Sequence, residues 1–110
     1  MFGGRMVHRE ELVEERVTVA FIDAGGIFIE LLSPSAKEGP LARFLETRGE
    51  GLHHLAFEVA DIHRALRNAE RAGHVPVDRH PRRGSRGRLI AFLHPSTAGG
   101  VLIELVATPA

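Results

Sequence analysis

Gly25-Gly26-Ile27-Phe28-Ile29-Glu30-Leu31-Leu32 and Gly99-Gly100-Val101-Leu102-Ile103-Glu104-Leu105-Val106 are one phrase written twice, 74 residues apart (Glu30 to Glu104). Each copy follows a matching run, Val19-Ala20-Phe21-Ile22 and Ile90-Ala91-Phe92-Leu93. Repetition at a fixed offset means that one supersecondary unit has been used twice, which decides the architecture before any single element does. It also sets one carboxylate in an apolar strand at the same place in each unit. Glu30 and Glu104 are therefore candidates to converge on one site.

Working outward from the repeat, Arg5 to Glu11 reads as a strand and Glu14-Glu15-Arg16 as a polar turn. Val17 to Asp23 is a strand rich in β-branched and aromatic residues, and Ala24-Gly25-Gly26 turns it into its hairpin partner, Ile27 to Leu32. Pro40 to Arg48 is a short helix with Pro at its start, an apolar stripe of Leu41, Phe44 and Leu45, and Gly49 as its stop. Leu52 to Val59 is a strand. Asp61 caps an amphipathic helix in which Ile62, Ala65, Leu66 and Ala69 recur at helical spacing, and Gly73 ends it. His74 to Arg79 is expected as a strand, Pro81 to Gly87 as a basic loop, and Arg88 to Leu93 with Val101 to Val106 as a last hairpin.

Residues 51–110 thus hold a complete β-α-β-β-β module, and residues 1–50 the final three strands of another plus a linker helix. The expectation is a single α+β domain over 1–110. In the second module His54 lies on the opening strand, 50 residues before Glu104 (104 − 54 = 50). The first copy's hairpin loop is three residues shorter, so its counterpart of His54 falls at 30 − 47 = −17, before Met1. The first module is expected to lack its opening strand and helix.

Composition narrows the function. The chain has 110 residues, 44% hydrophobic and 25% charged, ordinary values for a soluble globular protein. Lys+Arg and Asp+Glu are both 14, so no global field draws the chain to nucleic acid or membrane. The absence of Cys excludes disulfides, thiolate metal sites and Cys nucleophiles. Trp and Tyr are absent too, which argues against a stacking platform for nucleic acid. With no signal peptide or long apolar span, a cytoplasmic location is expected.

Strand alternation sorts the candidate residues. Leu55, Phe57 and Val59 share a face with His53, the natural seat of the following helix, while His54, Ala56 and Glu58 take the other. The face argument is what separates His54 from His53. Glu30 is flanked on its face by Phe28 and Leu32, and Glu104 by Leu102 and Val106. A lone strand Glu ordinarily marks an exposed face, but the same exception in register twice argues for a site. A carboxylate among such neighbours must be solvated, paired or bound to metal. One His with two Glu is an N/O ligand set suited to a divalent ion such as Zn, Mn, Co, Ni or Fe. Arg82-Arg83-Gly84-Ser85-Arg86-Gly87-Arg88 is a basic Gly-containing loop, either a solvated turn or a cradle for an anion. His8, His63, His74 and His80 read as surface residues, and His94 as the end of a strand.

The runs GLHHLAFEVADI (51–62), RRGSRGRLIAFLHP (82–95) and GGVLIELV (99–106) resemble methylmalonyl-CoA epimerases, as do VAFIDAGGIFIELLSP (19–34) and FLETRGEG (44–51). The similarity covers about nine-tenths of the chain. Such epimerases belong to the vicinal oxygen chelate superfamily, together with glyoxalase I and the extradiol dioxygenases. The resemblance implies paired βαβββ modules around a divalent metal held by Glu30, His54 and Glu104. The family's fourth ligand, a His in the opening strand of module one, has no counterpart here. Met1-Phe2-Gly3-Gly4 matches the end of the family's first helix, and Arg5 onward its second strand.

The implied reaction is epimerisation at C2 of methylmalonyl-CoA through an enolate. Glu104 or Glu30 would carry protons, and Arg82, Arg83, Ser85 and Arg86 would hold the anionic part of the acyl-CoA. Some epimerases carry a Glu where this chain has Val19. Without the opening strand, residues 1–110 alone are expected to bind metal weakly and turn over slowly. An exposed strand edge further suggests a homodimer. Two other readings stay open: a catalytically inactive small-molecule-binding module of the same fold, and a glyoxalase-type isomerase.

Overall fold

A computed structural model describes residues 3–108. Met1 and Phe2, which the resemblance sets at the end of a helix, lie outside the described residues. The backbone forms two compact units, one ending at Gly51 and the other beginning at Leu52.

The first unit is an antiparallel meander, β1 (Arg5–Leu12), β2 (Val17–Asp23) and β3 (Phe28–Pro34), in the order β1-β2-β3, followed by helix α1 (Pro40–Arg48). Its strands begin and end within two residues of the sequence reading. Local chemistry makes the β2–β3 turn: the Asp23 carboxylate accepts the Gly25 N–H at 3.0 Å, and Gly25 and Gly26 take φ of 79° and 113°. The corresponding glycines of the second copy, Gly99 and Gly100, also have positive φ, 66° and 87°. This is why each repeat opens on Gly-Gly: a side chain would strain that backbone. A β-bulge interrupts the β1–β2 ladder between Met6 and His8.

The second unit runs β4 (His54–Glu58), α2 (Ile62–Arg71), β5 (Arg82–Arg83), β6 (Leu89–Leu93) and β7 (Leu102–Ala107), with sheet order β4-β7-β6-β5. The β4–β7 pair is parallel and the other two are antiparallel. Asp61 caps α2 through the Arg64 N–H at 3.1 Å. Ile62 and Leu66 are buried against Ala91 and Leu93 of β6 and Leu105 and Ala107 of β7, and Ala65, Ala69, Val59 and Ile103 pack around them. Helix periodicity and strand alternation thus meet in one core.

One expected strand is displaced. His74 to Arg79 makes only a single bridge, Pro76 to Leu93, together with backbone bonds from Val77 N–H to Phe92 and from His94 N–H to Val75. Pro76 has no N–H to give a ladder, and Val75 and Val77 are about half exposed. The edge strand is instead Arg82–Arg83, inside the stretch read as a loop. Ser85–Gly87 follows as a tight 3-10 turn.

Candidate functional site

Cross-strand partners share a face, and the registers of the second unit assemble one face residue by residue. Glu104 lies opposite Ala56 on β4 and Phe92 on β6, His54 lies opposite Leu102, and Arg82 lies opposite Ile90. His54, Ala56, Leu102, Glu104, Val106, Ile90, Phe92 and Arg82 therefore point one way, and the α2-facing core points the other. His54 therefore lies on the face of Ala56 and Glu104, away from α2. The outer two side chains of the helix face, Leu55 and Phe57, stay exposed because α2 settles over β6 and β7 rather than over the edge strand β4.

Glu104 is 8% exposed, the one buried polar residue among those described. His54 Nε2 stands 3.5 Å from its Oε1, longer than a good N–H···O bond. Two donor atoms each about 2.1 Å from one ion, with tetrahedral spacing, lie about 3.4 Å apart. The pair fits two ligands of a shared ion better than a plain hydrogen bond. The other ring nitrogen of His54, Nδ1, is 2.9 Å from His53 Nδ1. Only one of these two nitrogens carries the shared proton. With the proton on His54 Nδ1, its Nε2 lone pair faces Glu104, the arrangement a metal requires. Burial, and secondarily the neighbouring His54, push the pKa of His53 below the ordinary imidazole value, partly opposed by Glu104. The shift favours a neutral His53, which in that tautomer would orient the His54 ring through the shared proton.

Phe92 is the hub of the face. Its ring meets His54 edge-on at 5.9 Å and 87°, and the Arg82 guanidinium lies over it at 5.6 Å. Arg82 Nε donates to Asp78 Oδ1 at 3.2 Å, and the other oxygen of Asp78 accepts the Phe92 N–H at 2.9 Å. Arg83 pairs with Leu89 and so alternates to the opposite face. Ser85 is half-buried in the turn and Arg86 is exposed, with φ of 60°. The turn sits tightly on the sheet: a Cβ on Gly84 would come within 2.9 Å of Ile90, on the same face as Glu104.

In the first unit, Glu30 lies opposite Phe21, as Glu104 lies opposite Phe92. Val19, at the position where some epimerases carry Glu, is on that face too and is 1% exposed. His94 is taken up locally, its Nδ1 accepting the Ser96 N–H at 3.1 Å. His8 pairs with Glu10 at 3.0 Å. His74, expected on the surface, is instead half-buried, and His63 and His80 are exposed.

Residues 1–92 match the model of the Glyoxalase/Bleomycin resistance protein/Dioxygenase superfamily. An uncharacterized protein of Bacillus subtilis, YqjC, is 38% identical over 96% of this chain and 75% of its own length. The mitochondrial methylmalonyl-CoA epimerase of Dictyostelium discoideum is 35% identical over 96% of this chain, and the chain spans 64% of its length. A solved Streptomyces coelicolor methylmalonyl-CoA epimerase variant, in complex with 2-nitronate-propionyl-CoA, superimposes with a TM-score of 0.90 at 34% identity, covering all of this chain and 83% of that one.

Proposed function

We propose, from the premise that the chain belongs to the Glyoxalase/Bleomycin resistance protein/Dioxygenase superfamily, that it epimerises methylmalonyl-CoA at C2. The observation that carries the reading is the close approach of His54 Nε2 and Glu104 Oε1 on a face that is otherwise largely apolar. Glu30, at the matching register position of the repeat, completes the proposed ligand set with them. A divalent ion bound there (Co, Mn, Ni, Zn or Fe) supplies Lewis-acid stabilisation of charge on the thioester oxygen.

The chain's own residues do the rest. His53 holds the His54 ring in its ligating tautomer. Glu104 and Glu30 are the carboxylates that take and return the C2 proton, which must leave one face and arrive on the other. Phe92 and the apolar neighbours of Glu104 lower the local dielectric and strengthen each charge interaction. Arg82 receives the acyl carboxylate, with Ser85 and Arg86 in the adjoining turn and Arg83 at its outer side. We further place the protein in the cytoplasm as a homodimer, with residues 1–50 as a partial and 51–110 as a complete copy of one module within a single domain. No helix among the described residues is long and apolar enough to cross a membrane.

A second reading, a binding module without catalysis, is favoured by one observation: Val19 cannot carry a proton at a position where some epimerases have Glu. Deuterium incorporation at C2 of methylmalonyl-CoA, with cobalt or manganese added, separates the two. Metal-dependent exchange supports the epimerase. Tight ligand binding without exchange supports the module, and neither result supports a glyoxalase-type isomerase, for which a glutathione hemithioacetal is the control substrate.

A further inference from the structure

Asp78 lies in the segment that fails to become a strand, and its carboxylate, 17% exposed, takes over part of the strand's work. One oxygen accepts the Phe92 N–H, a backbone donor that a neighbouring strand would otherwise have satisfied. The other accepts Arg82 Nε–H. A single side chain thus ties the Phe92 backbone to the guanidinium lying on the Phe92 ring. That ring also meets His54 in a T-shaped contact, and across the ladder Phe92 pairs with Glu104. A guanidinium carries its five N–H donors in a rigid planar fork, so where Nε points decides where the other four point.

We propose that Asp78 is a positioning residue that aims Arg82 at the carboxylate of a malonyl-type thioester, and so makes the site prefer acyl groups bearing that carboxylate. The inference rests on the epimerase reading and adds a specificity device to it. A malonyl thioester carries its carboxylate one carbon from the thioester carbonyl. A site for it therefore needs an anion receiver within a few ångströms of the group that binds the carbonyl. Arg82 and His54 both lie against the Phe92 ring, on the sheet face that carries Glu104. The carboxylate of Asp78 keeps the guanidinium off other anions on the surface, and a charged hydrogen bond holds it more firmly than a neutral one would.

The test compares binding of methylmalonyl-CoA with that of propionyl-CoA, which lacks the carboxylate, by calorimetry on the metal-loaded protein. The chains compared are the wild type, Asp78→Asn, Arg82→Lys and the double variant. Asp78→Asn keeps the volume and one acceptor but cannot accept from both donors. Arg82→Lys keeps the charge and loses the fork. The expected result is that the wild type prefers methylmalonyl-CoA. Each single variant should lose about ten- to a hundredfold of affinity for it, with little change for propionyl-CoA, and the double variant should be no worse than either single one. Equal weakening of both ligands by Asp78→Asn would show a scaffold role and overturn the proposal, as would additive losses in the double variant. A wild type that binds neither thioester would refute the epimerase reading, and this inference with it. The two failures are therefore told apart by the wild type alone.

Discussion

The hairpins β2–β3 and β6–β7 are near copies in sequence and differ in what lies on one side of them. In the second unit Ala91, Leu93 and Leu105 are buried beneath α2. Their counterparts in the first unit, Ala20, Ile22 and Leu31, are half-buried or exposed, and Leu31 is 43% accessible where Leu105 is 7%. On the opposite face the two hairpins agree: each sets a Glu across from a Phe. The lesson is that the acid's position is a property of the hairpin, which the repeat preserves. The depth of the core depends on how the helix seats: α2 covers β6 and β7 of the second sheet, whereas α1 meets the first sheet at β3.

The sharpest way to break this comparison is at the two acids. Glu104→Gln and Glu30→Gln should each lower the rate of C2 exchange by about 10²- to 10⁴-fold, the usual range for a positioned proton-transfer group. Their effects should agree to within about tenfold if the repeat makes them equivalent. An unchanged rate for Glu30→Gln in the exchange assay would show that the hairpins match in register and not in role.

The next largest effect is on stability. Leu105→Ala removes a side chain from beneath α2 and should cost about 2–5 kcal/mol. Leu31→Ala, at the matching but exposed position, should cost under about 1 kcal/mol, since much of its surface is already in water. Urea titration of both variants checks the difference, and equal losses would mean that the two faces are covered alike. Asp61→Ala should cost about 1 kcal/mol by removing the cap of α2, visible as a lower urea midpoint. No side-chain cap exists on α1 to lose.

The smallest effect is the pH dependence at His53. Its folded-state pKa is depressed, chiefly by burial. The unfolded chain therefore binds more protons in the window below the ordinary imidazole value of about 6.5. Stability contributed by neutral His53 is complete above that value and is lost as pH falls through it toward the folded pKa. His53→Gln should flatten the stability profile in that window. An identical profile for wild type and variant would assign the window to another group.

Much of the fold was legible because its signals are local. Val17–Asp23, Pro40–Arg48 and Ile62–Arg71 lie where β-branched runs, proline and glycine punctuation, and an Asp cap put them, since each is decided by residues within a few positions. His74 to Arg79 satisfies the strand pattern through its alternating valines, yet makes only one bridge. The pattern carries no information on whether a neighbour can meet Pro76, which has no N–H to offer.

By itself the sequence determined the repeat, the two hairpins that carry a Glu at matching positions, and the face on which His54 lies. These follow from chain periodicity and from turns that glycine alone makes easily. Only the tertiary structure decided that β5 is Arg82–Arg83, that α2 covers β6 and β7 and leaves Leu55 and Phe57 exposed, that His53 is the partner of His54, and that Asp78 joins Arg82 to Phe92. Each turns on which partner a segment finds in the packed sheet, or on the orientation of a single ring. No local spacing encodes them, because they are selected by how preformed elements pack and by which buried donors and acceptors must then be satisfied.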